Sequence, residues 1–502
     1  MSGTLVLLIG LAGQWLLGVA VANLLLTSRG RCETDERGRP SFVELAGLGC
    51  VLGIGLTAWG LFVWSLCGGT LGFGVSLSLT TLGSIWGGTA IVKLLARSRA
   101  SIGLMSRPPM IELRHEQAWG RLCQWIIGGL IFVSFMQTLM TPHRFWDERA
   151  IFAIKGLVLF EDHSICSRDL LDPDFVQYHP RYPLLIPLAE QHIYALLGEV
   201  DDRLSKIVFP MLYLGLVLTL AGVLSRHVTA GAAWLFALLV ATVPVLMPHE
   251  LGFLCGQADA PMACYHGLTI LYLWDAYQTQ SRDEAPSCWI GPSIVAGLCG
   301  ALSAFTKDEG IAFLMVDAIA LGIVVVVSRD RRRAAWPLVI LVVCSALVLT
   351  PWLWHRHSLP LTTEMNYFGR ASVSLVMERL PVLAWEVSHL AHRMLWEWPL
   401  WGLHWWLMLA ALAIAPRRAT AAAQWLLLLD VAGSLMALMV AGMLAPAQLG
   451  EHVSGSSSRF LMQLAPVAVL FAAGQLAAAR RGEARSTMSP HLADTSKQKS
   501  KS

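Results

Sequence analysis

The chain has 502 residues, of which 55% are hydrophobic and only 14% charged. Soluble globular domains carry roughly 25% charged residues, so that composition excludes an ordinary soluble enzyme. The net charge of +3, from 37 basic and 34 acidic residues, excludes a basic nucleic-acid binder.

Long apolar runs recur along the whole chain. They are Thr4–Leu26, Leu45–Leu66, Leu71–Val92, Trp125–Met140, Ile207–Ser225, Ala230–Met247, Pro261–Trp274, Trp289–Phe305, Gly310–Val327, Trp336–Trp354, Pro399–Ile414, Gln424–Met443 and Phe460–Ala479. None shows strand-type alternation, and a backbone crosses lipid only as a helix or a closed barrel. The expected fold is therefore all-α, a polytopic membrane protein with about thirteen transmembrane helices. The first run lacks a basic leader and a small-residue cleavage site, so it reads as a retained helix.

Basic residues follow alternate runs. Arg29, Arg31, Arg37 and Arg39 come after the first, and Lys93, Arg97, Arg99, Arg107, Arg114 and Arg121 after the third. Arg329, Arg331, Arg332 and Arg333 come after the ninth, Arg417 and Arg418 after the eleventh, and Arg480, Arg481 and Arg485 after the last. The positive-inside rule puts all of them in the cytoplasm, with the N-terminus outside. This parity requires that Pro183–Leu197 not span. Its Glu190, Gln191 and His192 are costly at mid-bilayer, so it reads as a juxtamembrane or re-entrant helix on the outer face. The ten cysteines are scattered without a CxxC pair and read as small buried hydrophobes, with no disulfide framework and no zinc site.

Five polar segments fall on the outer side of this topology. Trp146-Asp147-Glu148-Arg149 follows the fourth run. A partly desolvated carboxylate there suits a general base, while a loop acid or helix cap explains it as simply. His179-Pro180-Arg181-Tyr182-Pro183 offers Arg181 as a phosphate contact or an interfacial anchor. Asp259, in Gly256-Gln257-Ala258-Asp259-Ala260-Pro261, sits at a helix start. Thr306-Lys307-Asp308-Glu309-Gly310 places three charges between two apolar runs. Glu451-His452 and Arg459-Phe460 open the last helix. Three further acids, Asp275, Asp317 and Asp430, fall inside apolar runs.

The ordered set resembles GT-C class polytopic glycosyltransferases, most nearly the group of the protein O-mannosyltransferases and the aminoarabinose transferases of lipid A. The likeness rests on Asp147-Glu148, His179-Pro180 with Pro183, Ala258-Asp259-Ala260-Pro261, Thr306-Lys307 with Gly310, and Arg459-Phe460, over roughly residues 124–479. It departs from the family in three extra helices before the Asp-Glu loop and in the insertion Arg181-Tyr182 within the His-Pro step.

The resemblance implies an inverting transfer of sugar from a polyprenyl-phosphate donor, on the outer face, to a glycan, lipid or protein acceptor. Asp147 would be the base, with Glu148 second. Lys307, Arg459 and Arg181 would hold the donor phosphate, and His179, Asp259, Glu309 and His452 would bind substrate. No cofactor is required; an oxygen-rich divalent-metal site from Asp147, Glu148 and Asp259 is the alternative. The implied location is a bacterial inner membrane, with an endoplasmic reticulum fitting the same topology, in contact with membrane lipid and with no nucleic-acid partner. The chain then divides into 1–123 (three extra helices and a basic loop), 124–479 (a catalytic membrane domain) and 480–502 (a disordered tail). The aromatic loop His355–Trp398 (Tyr367, Phe368, Trp385, Trp396, Trp398) would shape the acceptor pocket. The competing class is a transporter or flippase of lipid-linked or small polar substrates, with Asp275, Asp317 and Asp430 as relay residues.

Overall fold

A computed structural model describes residues 3–27, 39–102, 112–247, 251–281, 285–361, 369, 372–445 and 449–499. Arg29, Arg31, Cys32, Arg37, Arg107, Tyr367 and Phe368 lie outside the described residues. The described residues contain helices and no strand.

The first half of the chain runs through α1 (Gly3–Leu26), α2 (Phe42–Leu66), α3 (Phe73–Ile102), α4 (Glu112–Met140), a π-helical turn Glu148–Ala153, α5 (Ile154–Glu161), α6 (Arg168–Leu171), α7 (Leu185–Leu197), α8 (Val208–Leu224) and α9 (Ala230–Ala241). The second half runs through α10 (Asp259–Gln280), α11 (Ser287–Thr306), α12 (Glu309–Val327), α13 (Arg331–Ser358), α14 (Val373–Trp396), α15 (Trp398–Trp401), α16 (His404–Ile414), α17 (Ala422–Leu444) and α18 (Leu449–Lys499). Ten of these helices are long and apolar enough to cross a membrane. Apolar side chains such as Trp125, Phe132, Leu347 and Met436 stand exposed on them, as a lipid-facing surface requires. The chain is an all-α, multi-pass membrane protein.

The count differs from the expected thirteen at three runs. Ala230–Met247 ends as a helix at Ala241, because Pro244 disfavours helical geometry at Val243, which is extended. Pro399–Ile414 breaks at Gly402, whose φ of +57° sits in the left-handed region. The resulting 12-residue and 11-residue helices are each shorter than the roughly 20 residues a span needs. The Pro261–Trp274 run lies within α10, which is long enough at 22 residues but carries Tyr265, His266, Tyr272, Asp275 and Gln278. Every residue of α10 is buried, so its polar groups meet protein instead of lipid.

Helix α7 is the rejected span. Glu190, Gln191 and His192 are fully buried within it. It packs on α5 and against α1, α2 and α3, so the three N-terminal helices wall in one flank of the helix that leads away from the His-Pro step. The indole of Trp59 in α2 also donates to the Val348 carbonyl of α13, 3.2 Å away.

Two further features bear on the sequence reading. Residues 480–499 lie within α18, which runs as helix to Lys499 through Gly482 and Pro490. Cys288 is disulfide-bonded, whereas the other eight described cysteines are free. Nothing in the local spacing of Cys288 signals that bond.

Candidate functional site

The turns that precede α5, α10 and α12 meet at one end of the bundle with Arg459, which lies about three turns into α18 because that helix begins at Leu449 and not at Arg459. Asp147 stands just before the π-helical turn, and its Oδ2 accepts from Arg459 Nη2 of α18 at 2.6 Å. Lys307 lies in the extended link between α11 and α12. Its Nζ reaches Asp259 Oδ1 at 2.7 Å and Glu309 Oε1 at 2.8 Å. Asp259 and Glu309 are also electrostatic neighbours of Arg459, which joins the two ion pairs into one cluster. Five of the nine residues singled out in the sequence therefore come together, from four separate segments.

Exposure grades across this cluster. Lys307 and Asp259 form a floor with side chains 4% and 1% exposed, while Asp147, Arg459 and Glu309 form a rim at 23%, 33% and 38%. Burial pulls the Lys307 ammonium down, but Asp259 and Glu309 outweigh it and hold the group above its ordinary range. Lys307 is a fixed cation.

The other four residues border the cluster in different ways. His452 is an electrostatic neighbour of Glu309. His179 adopts a left-handed turn (φ +52°) and stacks on Tyr182 at 5.0 Å, and Tyr182 in turn faces the Lys307 charge. Arg181 Nε donates to the Leu359 carbonyl at 2.9 Å and lies near the Arg356–Asp308 ion pair. Burial and the like charge of Arg356 lower it from its ordinary range. Asp308 is pushed up to about 6 by burial, against the pull of Arg356.

Glu148 turns away from the rim. It is fully buried, and its Oε1 takes His143 Nδ1 and Lys206 Nζ at 2.9 Å each and the Gly256 N–H at 2.8 Å. Its Oε2 takes the N–H groups of Arg144 and Phe145 at 2.8 and 3.0 Å. Burial raises its pKa, but His143, Lys206 and the Arg144 amide more than reverse this and hold it well below the usual range. A carboxylate so fully engaged is a tie between segments, and its geometry does not suit a second base. A Cβ on Gly256 would come within 2.6 Å of His143 Nδ1 and 2.7 Å of Glu148 Cγ, so only glycine allows this approach. His143 and Lys206 escaped sequence reading. The one available signal was Lys206, a cation at the mouth of an apolar run.

Two more layers lie behind the rim. Lys155 Nζ donates to the His179 carbonyl at 3.1 Å, and burial pulls it down to about 7 despite Asp308. Glu190 is pushed up to about 7 by burial, with His143 opposing and Glu148 adding to the rise. A cavity of about 400 Å³ opens beside the π-helical turn, lined by His143, Trp146, Arg149, Tyr178 and Tyr194 among others.

The aromatic loop contains an unexpected helix, α14. It runs across this end of the bundle, with Arg379 donating to the Gly442 carbonyl and Arg393 to the Ser454 carbonyl, both at 2.6 Å. Trp385 and Trp396 stand exposed on it and Trp398 on α15.

Asp147, Glu148 and Asp259 do not form a common metal-ligand set, since each is committed to a different cation. Among the described residues, the group with metal-ligand spacing is His266, Asp317 and Asp430, buried inside the bundle. No family model matches the chain, and no curated protein or solved structure matches it.

Proposed function

We propose that the protein is a membrane glycosyltransferase that passes a sugar from a polyprenyl-phosphate donor to a hydroxyl or amide acceptor at the Asp147 end of the bundle. The observation that carries this reading is the half-open cluster of Asp147, Asp259, Lys307, Glu309 and Arg459. It offers a solvent-reachable carboxylate beside two cations, at the mouth of apolar helices where a lipid-linked donor would arrive.

The cluster holds three carboxylates against two cations, so an incoming phosphate must displace a carboxylate. The pair nearest the rim, Asp147–Arg459, is the one to open. The donor phosphate takes the Arg459 guanidinium, and Lys307, held on the floor by Asp259, stabilises the charge that grows on the leaving phosphate. Asp147, released, accepts the acceptor proton. The acceptor atom bonds to the anomeric carbon as the bond to the phosphate oxygen breaks, which inverts the configuration and expels polyprenyl phosphate. A phosphate leaving group needs no general acid. The reading supports a site facing outward from a bacterial inner membrane.

The test is turnover of purified protein in nanodiscs, offered polyprenyl-phosphate sugars and a membrane extract as acceptor. Asp147→Asn should lower turnover by about a hundredfold or more, the scale of a lost general base. Undiminished turnover in Asp147→Asn would remove it as the base. A wild-type protein inert with every donor, yet moving lipid-linked sugar across proteoliposomes, would replace the transferase with a flippase.

A further inference from the structure

Asp259 and Glu309 each begin a helix that continues inward to a second polar group. His266 lies seven residues below Asp259 on α10, and Asp317 eight below Glu309 on α12. At 1.5 Å per residue this is roughly 10–12 Å deeper. Asp430, from the middle of α17, completes the set. The three side chains are 0–1% exposed, and one ligand atom from each lies within 4.8 Å of the others. Phe313 packs on the His266 ring at 4.4 Å and on Phe460 at 4.7 Å, which closes the group off from the cluster above.

The imidazole orientation is informative. His266 Nδ1 lies 3.2 Å from the Gln463 carbonyl of α18, which can only accept, so Nδ1 carries a hydrogen. Nε2 then points at both acids, 3.2 Å from Asp430 Oδ1 and 3.8 Å from Asp317 Oδ1. A backbone carbonyl fixing one imidazole nitrogen while the other faces carboxylates is the usual support of a metal-bound histidine. The acids are also under-used: Asp317 Oδ1 and Asp430 Oδ2 are buried without a hydrogen-bond partner. So is Ser434 Oγ, one helical turn from Asp430.

Charge points the same way. Two carboxylates and a neutral imidazole sum to −2, and a protonated imidazole still leaves −1 inside an apolar bundle. One divalent cation brings the sum to zero. An imidazole with two carboxylates is the ligand chemistry of zinc and its first-row neighbours; magnesium and calcium prefer all-oxygen shells.

We propose that His266, Asp317 and Asp430 form a buried binding site for a divalent transition-metal ion of the zinc type, which clamps α10, α12 and α17 together beneath the outer cluster. The inference is independent of sugar transfer, and its test reads metal alone. Purified full-length protein in nanodiscs is stripped with a membrane-permeant chelator and reloaded with Zn²⁺ or Co²⁺. Wild type should retain one equivalent per chain by elemental mass spectrometry and show the visible bands of four-coordinate Co²⁺. Asp430→Asn and His266→Gln should each drop to background. Should either fail to fold, the isosteric Asp317→Asn, checked by its elution profile, carries the same expectation. Asp147→Asn should leave the metal content unchanged. Wild-type protein that retains no metal would overturn the site and leave protons as the neutralising charge. Metal lost from Asp147→Asn but kept by Asp317→Asn would overturn it in favour of the rim.

Discussion

Helix α10 carries two charged assemblies, one at Asp259 and one at Asp275 sixteen positions later, about 24 Å apart. They are built differently. At the Asp275 end, Arg226 pairs with Glu44 of α2 and, at 2.9 Å, with Asp275. His227 Nε2 meets Asp275 Oδ1 at 2.7 Å, and the Tyr272 hydroxyl donates to Glu44 at 3.0 Å. All of these groups are buried. At the Asp259 end the same ingredients, carboxylates around a cation, are graded from floor to rim. A closed assembly holds helices together, because its charged groups are buried and paired with one another. A graded one keeps a fixed cation below and an exchangeable pair above, which a charged substrate needs.

Substitutions should separate the two ends. The largest effect on stability is expected from Arg226→Met, which removes the guanidinium that neutralises the buried carboxylates of Glu44 and Asp275. Removing one partner of such a group costs about 3–5 kcal/mol, to be read as a lowered midpoint of denaturant unfolding. Turnover per folded molecule should stay at the wild-type level. Asp147→Asn should do the reverse, moving stability by less than about 1 kcal/mol because the pair is partly solvated, while turnover collapses. Gly256→Ala falls between, at about 1–3 kcal/mol, since its methyl must displace His143 or Glu148. That variant should also lower turnover, because the same tie positions Asp147 next door.

The smallest expected effect is a pH slope. Glu190, at about 7 when folded, binds its proton more tightly than its unfolded value of 4.5. Its contribution is full below pH 4.5 and is lost as pH rises to about 7. Glu190→Gln should flatten that fall in melting temperature between pH 4.5 and 7. An unchanged slope would place its source elsewhere.

Much of this architecture was legible in the sequence. The apolar runs all lie on helices, because hydropathy over twenty residues is a strong local signal. It misled at α9 and α16, where Pro244 and Gly402 end or break a helix inside an apolar run. It understated α14, where Val373, Val376, Met377 and Leu380 already carry helical spacing. The cluster was legible as a set of residues on one side, since each stands at the end of an apolar run. Its pairings were not. Whether Asp147 or Glu148 faces outward depends on Lys206 and Gly256, far along the chain, and no local pattern distinguishes two adjacent acids. His266 was invisible for the same reason: a lone histidine in a helix acquires meaning only when α12 and α17 bring it two carboxylates.

The packing of α1, α2 and α3 around α7 has a consequence for how the protein is made. A chain enters the membrane N-terminus first, so the helices that flank α7 are in place before α7 emerges. Glu190, Gln191 and His192 then arrive beside protein instead of lipid. Chain order spares α7 a passage through a solvent it could not tolerate.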